Sequence, residues 1–158
     1  MNQKEPITRD GLEKIQEELD HLIKVEREEL KITIAEAREL GDLKENAEYH
    51  AAKEKQGHVE GRISQLQAII ANANVIDPAT VNSDKIVFGA TVTLVESESG
   101  DEVTYQLVGK DESDKKSGKI SYTSPIGKAL IGKEEGDTVI VKAPKGDVEY
   151  EVESFEYK

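Results

Sequence analysis

Two acids three residues apart, Asp42 and Glu45, stand in the segment Gly41-Asp42-Leu43-Lys44-Glu45-Asn46-Ala47-Glu48-Tyr49. Their types and spacing suit two kinds of chemistry. As structural groups, Asp42 is a good helix N-cap and Glu45 stands where the second member of a capping box reaches back to the first turn. As ligands, two carboxylates offer hard oxygen donors of the kind Mg²⁺ favours. That ion keeps several waters and is often held by only one or two protein carboxylates beside a phosphate. Such a pair is half a site. It suits completion of a second metal position in a partner that already holds one ion and a phosphodiester, the paired-ion arrangement used for phosphodiester hydrolysis. The two readings are compatible, because a capping carboxylate keeps free lone pairs.

Few other groups compete for the chemistry. The chain has no cysteine, which excludes disulfides, thiolate zinc sites and a cysteine nucleophile and suits a reducing compartment. Any metal must be held by oxygen or by His21, His50 or His58. His50 and His58 are eight residues apart on one predicted helix, about two turns, too far for the i, i+4 pairing that chelates zinc. They read as surface residues. Arg38, Lys44 and Lys53 flank the acids. On a helix such residues ordinarily form solvated faces or i, i+4 pairs with acids, and the alternative is contact with a polyanion.

The elements that must position the acids are legible from apolar spacing. Leu12, Ile15, Leu19 and Leu22 fall at intervals of 3 and 4, and after a charged stretch Leu30, Ile34, Ala37 and Leu40 resume the stripe, which predicts one long helix with Thr8 as its N-cap. Gly41 interrupts the pattern. It returns as Ala47, Ala51, Val59, Ile63, Leu66, Ile70 and Ala73, a second long helix ending before Pro78. Two amphipathic helices of similar length joined by a short connection must fold back on each other, since each apolar stripe can be buried only on its neighbour. At 1.5 Å per residue, Leu12 to Leu40 spans about 43 Å, so Gly41 to Glu45 is predicted to be the tip of a finger.

After Pro78 the texture becomes short β-rich runs: Ala90 to Val95, Glu102 to Val108, Lys119 to Tyr122, Thr138 to Lys142 and Val148 to Phe155. Ser99-Gly100-Asp101 and Pro144-Lys145-Gly146-Asp147 read as hairpin turns, and Pro125 to Ile131 as one short helix. The expected architecture is α+β: an antiparallel coiled-coil hairpin over residues 1–77, then a small antiparallel-sheet domain over 78–158.

Charge limits the partners. Lys and Arg number 21 and Asp and Glu 33, a net charge of 21 − 33 = −12. The deficit is shared, with 11 basic against 16 acidic residues in 1–76 and 10 against 17 in 77–158. Affinity for nucleic acid comes largely from neutralising phosphates, so this chain is expected to bind free DNA or RNA weakly or not at all. If it acts on nucleic acid, another protein holds the substrate. No apolar run approaches the roughly 20 residues of a bilayer span, and the N-terminus lacks a signal-peptide stretch, so a cytoplasmic location is expected.

The run Ala35-Glu36-Ala37-Arg38-Glu39-Leu40-Gly41-Asp42-Leu43-Lys44-Glu45-Asn46-Ala47-Glu48-Tyr49-His50-Ala51-Ala52-Lys53-Glu54 resembles the bacterial Gre transcript-cleavage factors, and looks most like their GreA branch. A second match is Ser124-Pro125-Ile126-Gly127-Lys128-Ala129-Leu130-Ile131-Gly132-Lys133, in the region that resembles the family's FKBP-like C-terminal domain. The resemblance implies an accessory factor rather than an enzyme, whose hairpin enters the secondary channel of RNA polymerase while the C-terminal domain rests at the rim. It implies that Asp42 and Glu45 help hold a shared second Mg²⁺ while the polymerase cuts the 3′ end of a backtracked transcript. It further implies that Arg38, Lys44 and Lys53 lie near the nascent RNA 3′ end or the polymerase, and that DNA is met only through the complex. Two alternatives stand beside it. One is a prolyl isomerase or chaperone, which needs an aromatic-lined apolar pocket. The other is a structural adaptor whose tip acids only cap a helix.

Overall fold

A computed structural model describes residues 4–158. They form two compact units: one made from the chain up to Gly11 together with Ala73–Lys158, the other from Leu12–Asn72. Among the described residues no helix is long and apolar enough to cross a membrane.

The helical unit is a hairpin. Its first arm starts with helix α1 (Arg9–His21), continues through a π-helical segment (Leu22–Glu26) and ends in helix α2 (Arg27–Glu39). Thr8 caps the arm as predicted, its Oγ1 accepting from the Gly11 N–H at 3.1 Å. Helix α3 (Ala47–Ala71) is the second arm and packs on α2. Leu22, Leu30, Ile34 and Ala37 of the first arm and Val59, Ile63 and Leu66 of the second are buried, as the stripes read from the sequence require, but near the tip Leu40, Ala47 and Ala51 are exposed and Ala52 is buried in place of Ala51. Two bidentate ion pairs brace the arms, Arg27 to Glu60 at 2.8 and 2.9 Å and Arg62 to Glu18 at 2.6 and 3.0 Å. The Arg62 guanidinium holds the Glu18 carboxyl below its ordinary pKa.

The π segment was not foreseen, and its cause is the spacing of the stripe. Leu22 and Leu30 are eight residues apart, about 80° out of phase on a regular helix of 3.6 residues per turn. One wide turn takes up that excess and returns both leucines to the same face.

The sheet unit begins with strand β1 (Glu5–Thr8), which pairs in parallel with strand β2 (Ala73–Ile76) in the register Glu5↔Ala73 to Thr8↔Ile76. Ala73 to Ile76 were expected to end the second helix. The correction is that this helix stops at Ala71, where Asn72 caps it, and the chain turns extended. The larger sheet has the order β5-β4-β3-β7-β6, from strands β3 (Thr91–Glu96), β4 (Glu102–Val108), β5 (Lys119–Ser121), β6 (Thr138–Ala143) and β7 (Gly146–Glu156). All five stand within a few residues of the predicted runs, and both predicted hairpin turns are present. The sheet is not wholly antiparallel. β5 pairs in parallel with β4, because the connection after Val108 makes a 3₁₀ turn (Lys115–Ser117), capped by Asp114, before pairing resumes.

Alternate residues of β3, Val92 and Leu94, join Ile86, Ala90, Leu107, Ile120, Leu130, Val139 and Val152 in the core on one face of the sheet. Helix α4 (Pro125–Leu130) closes that face, and its sequence follows from geometry. Ser124 is the N-cap, its Oγ accepting from Gly127 N at 3.1 Å, and Pro125 takes the first helical position, where no N–H is needed. At Gly127 a Cβ would lie 2.3 Å from the Ser121 carbonyl oxygen, so only glycine fits.

Candidate functional site

The predicted acids stand in the loop between the arms. Helix α2 ends at Glu39, and Gly41, at φ 124°, turns the chain in a conformation open to glycine. Residues 43–45 form a turn, and α3 begins only at Ala47. The capping expectation for the acids is therefore corrected: neither Asp42 nor Glu45 caps α3. The N-cap is Asn46, whose Oδ1 accepts from Tyr49 N at 3.0 Å. Asp42 lies four residues too early, and its Oδ1 instead accepts from Lys44 N at 2.9 Å, closing a local turn.

Freed of capping, both acids are exposed, as is Lys44 between them. Among the described residues no ion pair engages Asp42 or Glu45. The donor set is oxygen only, and no group of three or more His, Cys, Asp or Glu that could hold a metal ion occurs among the described residues. Two exposed carboxylates fit a hard divalent cation that takes its remaining ligands from elsewhere.

The basic residues are placed differently from one another. Arg38, in the last turn of α2, sets its guanidinium 5.9 Å from the centroid of the Tyr49 ring, a cation–π contact that gives Tyr49 a packing role across the tip. Lys53 donates to Gln56 Oε1 at 3.0 Å along its own helix. Lys44 is in the loop itself, and its carbonyl oxygen lies 2.9 Å from His50 Nε2. A carbonyl only accepts, so this ring nitrogen carries a proton. His50 and His58 are both exposed, and His58 instead approaches Glu54 at 3.8 Å, so the two histidines serve different neighbours.

Sequence reasoning passed over Asn46. The acids at i and i+3 looked like a capping box and drew attention from the Asn that follows, although Asn is an equally good cap. The available signal was Asn46 directly before the first periodic residue, Ala47.

In the sheet unit, a cavity of about 510 Å³ is lined by Val95, Glu135, Gly136, Glu151, Val152 and Glu153. Carboxylates and no aromatic ring line it, the opposite of what a prolyl substrate needs. Like charge from Glu102, ahead of the other contributions, raises the Glu153 carboxyl above its ordinary pKa.

Comparison with known proteins covers both units. Residues 5–75 match the family model described as "Transcription elongation factor, N-terminal", and residues 81–157 match "Transcription elongation factor, GreA/GreB, C-term". A protein named transcription elongation factor GreA from Alkalilimnicola ehrlichii is 59% identical over 155 residues, 98% of each chain. One of the same name from Thermodesulfovibrio yellowstonii is 53% identical over the full length of both. A solved structure, the GreA factor homolog 1 (Gfh1) protein of Thermus thermophilus, is 27% identical and aligns with 98% of this chain and 99% of its own at a TM-score of 0.45.

Proposed function

We infer, from the chain's membership of the GreA/GreB family of transcription elongation factors, that it rescues backtracked RNA polymerase by stimulating the polymerase's own endonucleolytic cleavage of the transcript 3′ end. The observation that carries this reading is the exposed pair Asp42 and Glu45 in the turn of the hairpin, clear of capping and of ion pairs. A shared Mg²⁺ at these carboxylates would supply charge neutralisation at the scissile phosphate and an activated water.

The chain's own residues then have limited tasks. Asp42 keeps one oxygen on the Lys44 N–H, which fixes the carboxylate's direction and leaves it acceptor capacity for a cation. Glu45 presents its carboxylate from the same loop. Lys44, exposed between two acids, is the basic group best placed to meet the anionic RNA 3′ end. Arg38 and Lys53 reach that end only by leaving Tyr49 and Gln56. The hairpin enters the polymerase's secondary channel and the C-terminal unit rests at its rim. Substrate binding belongs to the polymerase, in keeping with a net charge of −12. The factor alone is therefore not a nuclease, and it works in the cytoplasm.

The test is a purified backtracked transcription complex in Mg²⁺, scored for shortened RNA 3′ ends with and without the protein. Asp42→Asn keeps the oxygen that accepts from Lys44, and Glu45→Gln removes no structural hydrogen bond, so both variants should fold and still bind polymerase. Each should lower cleavage at least ~10-fold, the loss of about 1.4 kcal/mol of transition-state stabilisation, because a neutral amide is a poor ligand for a hard cation. Raised Mg²⁺ should restore part of the rate. Parental cleavage by both variants would show the acids to be local turn formers only, and hydrolysis of free RNA by the protein alone would exclude an accessory role.

A further inference from the structure

We propose that Asn46 is the positioning residue of the tip: one amide side chain joins the ends of both helices and thereby holds the loop that presents Asp42 and Glu45. Its Oδ1 accepts from Tyr49 N at 3.0 Å, in the first turn of α3. Its Nδ2 donates to the Ala37 carbonyl at 2.5 Å, in the last turn of α2. The two partners fix the amide's orientation, since an N–H only donates and a carbonyl only accepts.

Both contacts answer a need that follows from helix ends. The first N–H groups of α3 and the last carbonyls of α2 have no intrahelical partners. Ala37 O receives only a tightened bond from Leu40 N, at 3.2 Å, before Asn46 adds a second. The side chain is half-buried, although its neighbours Asp42 to Glu45 are exposed. The loop between its two attachments holds both acids, so a clamp at Asn46 limits how far either carboxylate can wander. Two further fastenings act inside that span, Lys44 N to Asp42 Oδ1 and His50 Nε2 to the Lys44 carbonyl. Neither ties the loop back to α2.

The chemistry separates the clamp from the cap. Ser and Asp are N-caps about as good as Asn, so Asn46→Ser and Asn46→Asp keep the bond from Tyr49 N. Neither has an amide donor, so both lose the link to Ala37. Ser adds no charge near the acids and Asp adds one. Agreement between the two variants therefore isolates the lost donor.

The assignment rests on the cleavage reading for its functional arm, and a second arm does not. In the full-length protein, residue-resolved amide exchange at Lys44 to Ala47 should quicken at least ~3-fold in both variants, while helix content by circular dichroism is unchanged, as expected when a loop loosens without the helices melting. With backtracked polymerase, the maximal cleavage rate should fall at least ~5-fold, while the factor concentration giving half that maximum moves less than ~2-fold, because misplaced reacting groups cost rate rather than binding. Parental exchange at the tip, or a parental maximal rate in both variants, overturns the assignment. A rate that falls only in step with helix content or polymerase affinity overturns it too, since Asn46 is then a cap alone. If the parent protein itself stimulates no cleavage, the functional reading falls, and the exchange arm still decides whether Asn46 holds the loop.

Discussion

At the residue scale, a heavily engaged carboxylate is Glu112, far from the tip acids in sequence. Its Oε2 accepts from Thr8 N at 2.9 Å and Gly109 N at 2.8 Å, and its Oε1 accepts the Thr8 hydroxyl proton. Thr8 and Gly109 are buried, and a Cβ at Gly109 would lie 2.5 Å from the Pro6 carbonyl, so that glycine allows the approach of β1. Glu112→Ala leaves two buried N–H groups without an acceptor and should destabilise the sheet unit by about 2–6 kcal/mol, at a cost of about 1–3 for each unsatisfied buried donor. Glu112→Gln keeps an oxygen for both N–H groups and should cost about 1 kcal/mol, the difference between a charge-assisted and a neutral hydrogen bond. Urea unfolding of the two variants checks the order, and equal losses would mean that packing, not acceptance, is what Glu112 provides. In the sequence Glu112 lies within a polar loop and carries no signal, because Thr8, the partner that ties it to β1, is 104 positions away.

At the scale of elements, the π segment accounts for a slack residue in the first arm. Lys24 is exposed within it and makes only a surface pair with Asp20 at 3.9 Å. Removing Lys24 should convert the wide turn to a regular one and leave Leu22 and Leu30 on one face, with a stability change under about 1 kcal/mol, since exposed ion pairs contribute little. Removing the equally exposed Gly61 from α3 tests the opposite case. That helix has no wide turn, so Val59 and the residues beyond it rotate about 100° away from Ile63 and Leu66. The loss should be at least ~2 kcal/mol, the usual cost of vacating a buried aliphatic site. Thermal melts of the two deletion variants decide the matter, and comparable losses would refute the slack-residue account. The wide turn left a faint trace in the sequence, the eight-residue gap between Leu22 and Leu30, but a charged interval reads equally well as a plain solvated stretch.

At the scale of the whole molecule, the hairpin is an insertion between two neighbouring parallel strands. Parallel strands need a long crossover, and here Leu12–Asn72 lies within it. The sheet unit therefore draws on both ends of the chain. Replacing residues 12–72 with about eight Gly/Ser residues, a flexible span of adequate reach, should leave a unit that unfolds cooperatively. That unit should be more stable than the isolated fragment 78–158 by at least ~2 kcal/mol, the gain from burying Ile7 and from the bonds that Thr8 makes to Glu112. Denaturant melts compare the two, and equal stability would show β1 and β2 to be dispensable.

The sequence by itself determined what is written in short-range periodicity. Leucine and isoleucine spacing specified both arms of the hairpin, because each stripe must be buried on its neighbour. Alternation and turn residues specified β3 to β7, and Ser124-Pro125 specified the start of α4. The exposed placement of Asp42 and Glu45 at the turn followed from the break at Gly41. What only the tertiary structure decided depends on partners distant in sequence. Glu5 to Thr8 and Ala73 to Ile76 are too short to show a period, and the second imitates the end of a helix; they become strands only against each other. The parallel pairing of β5 needed the path of the preceding loop. Asn46 caps α3 through a local bond from Tyr49 N, but its second bond, to the Ala37 carbonyl, is set by the return of the chain rather than by local spacing.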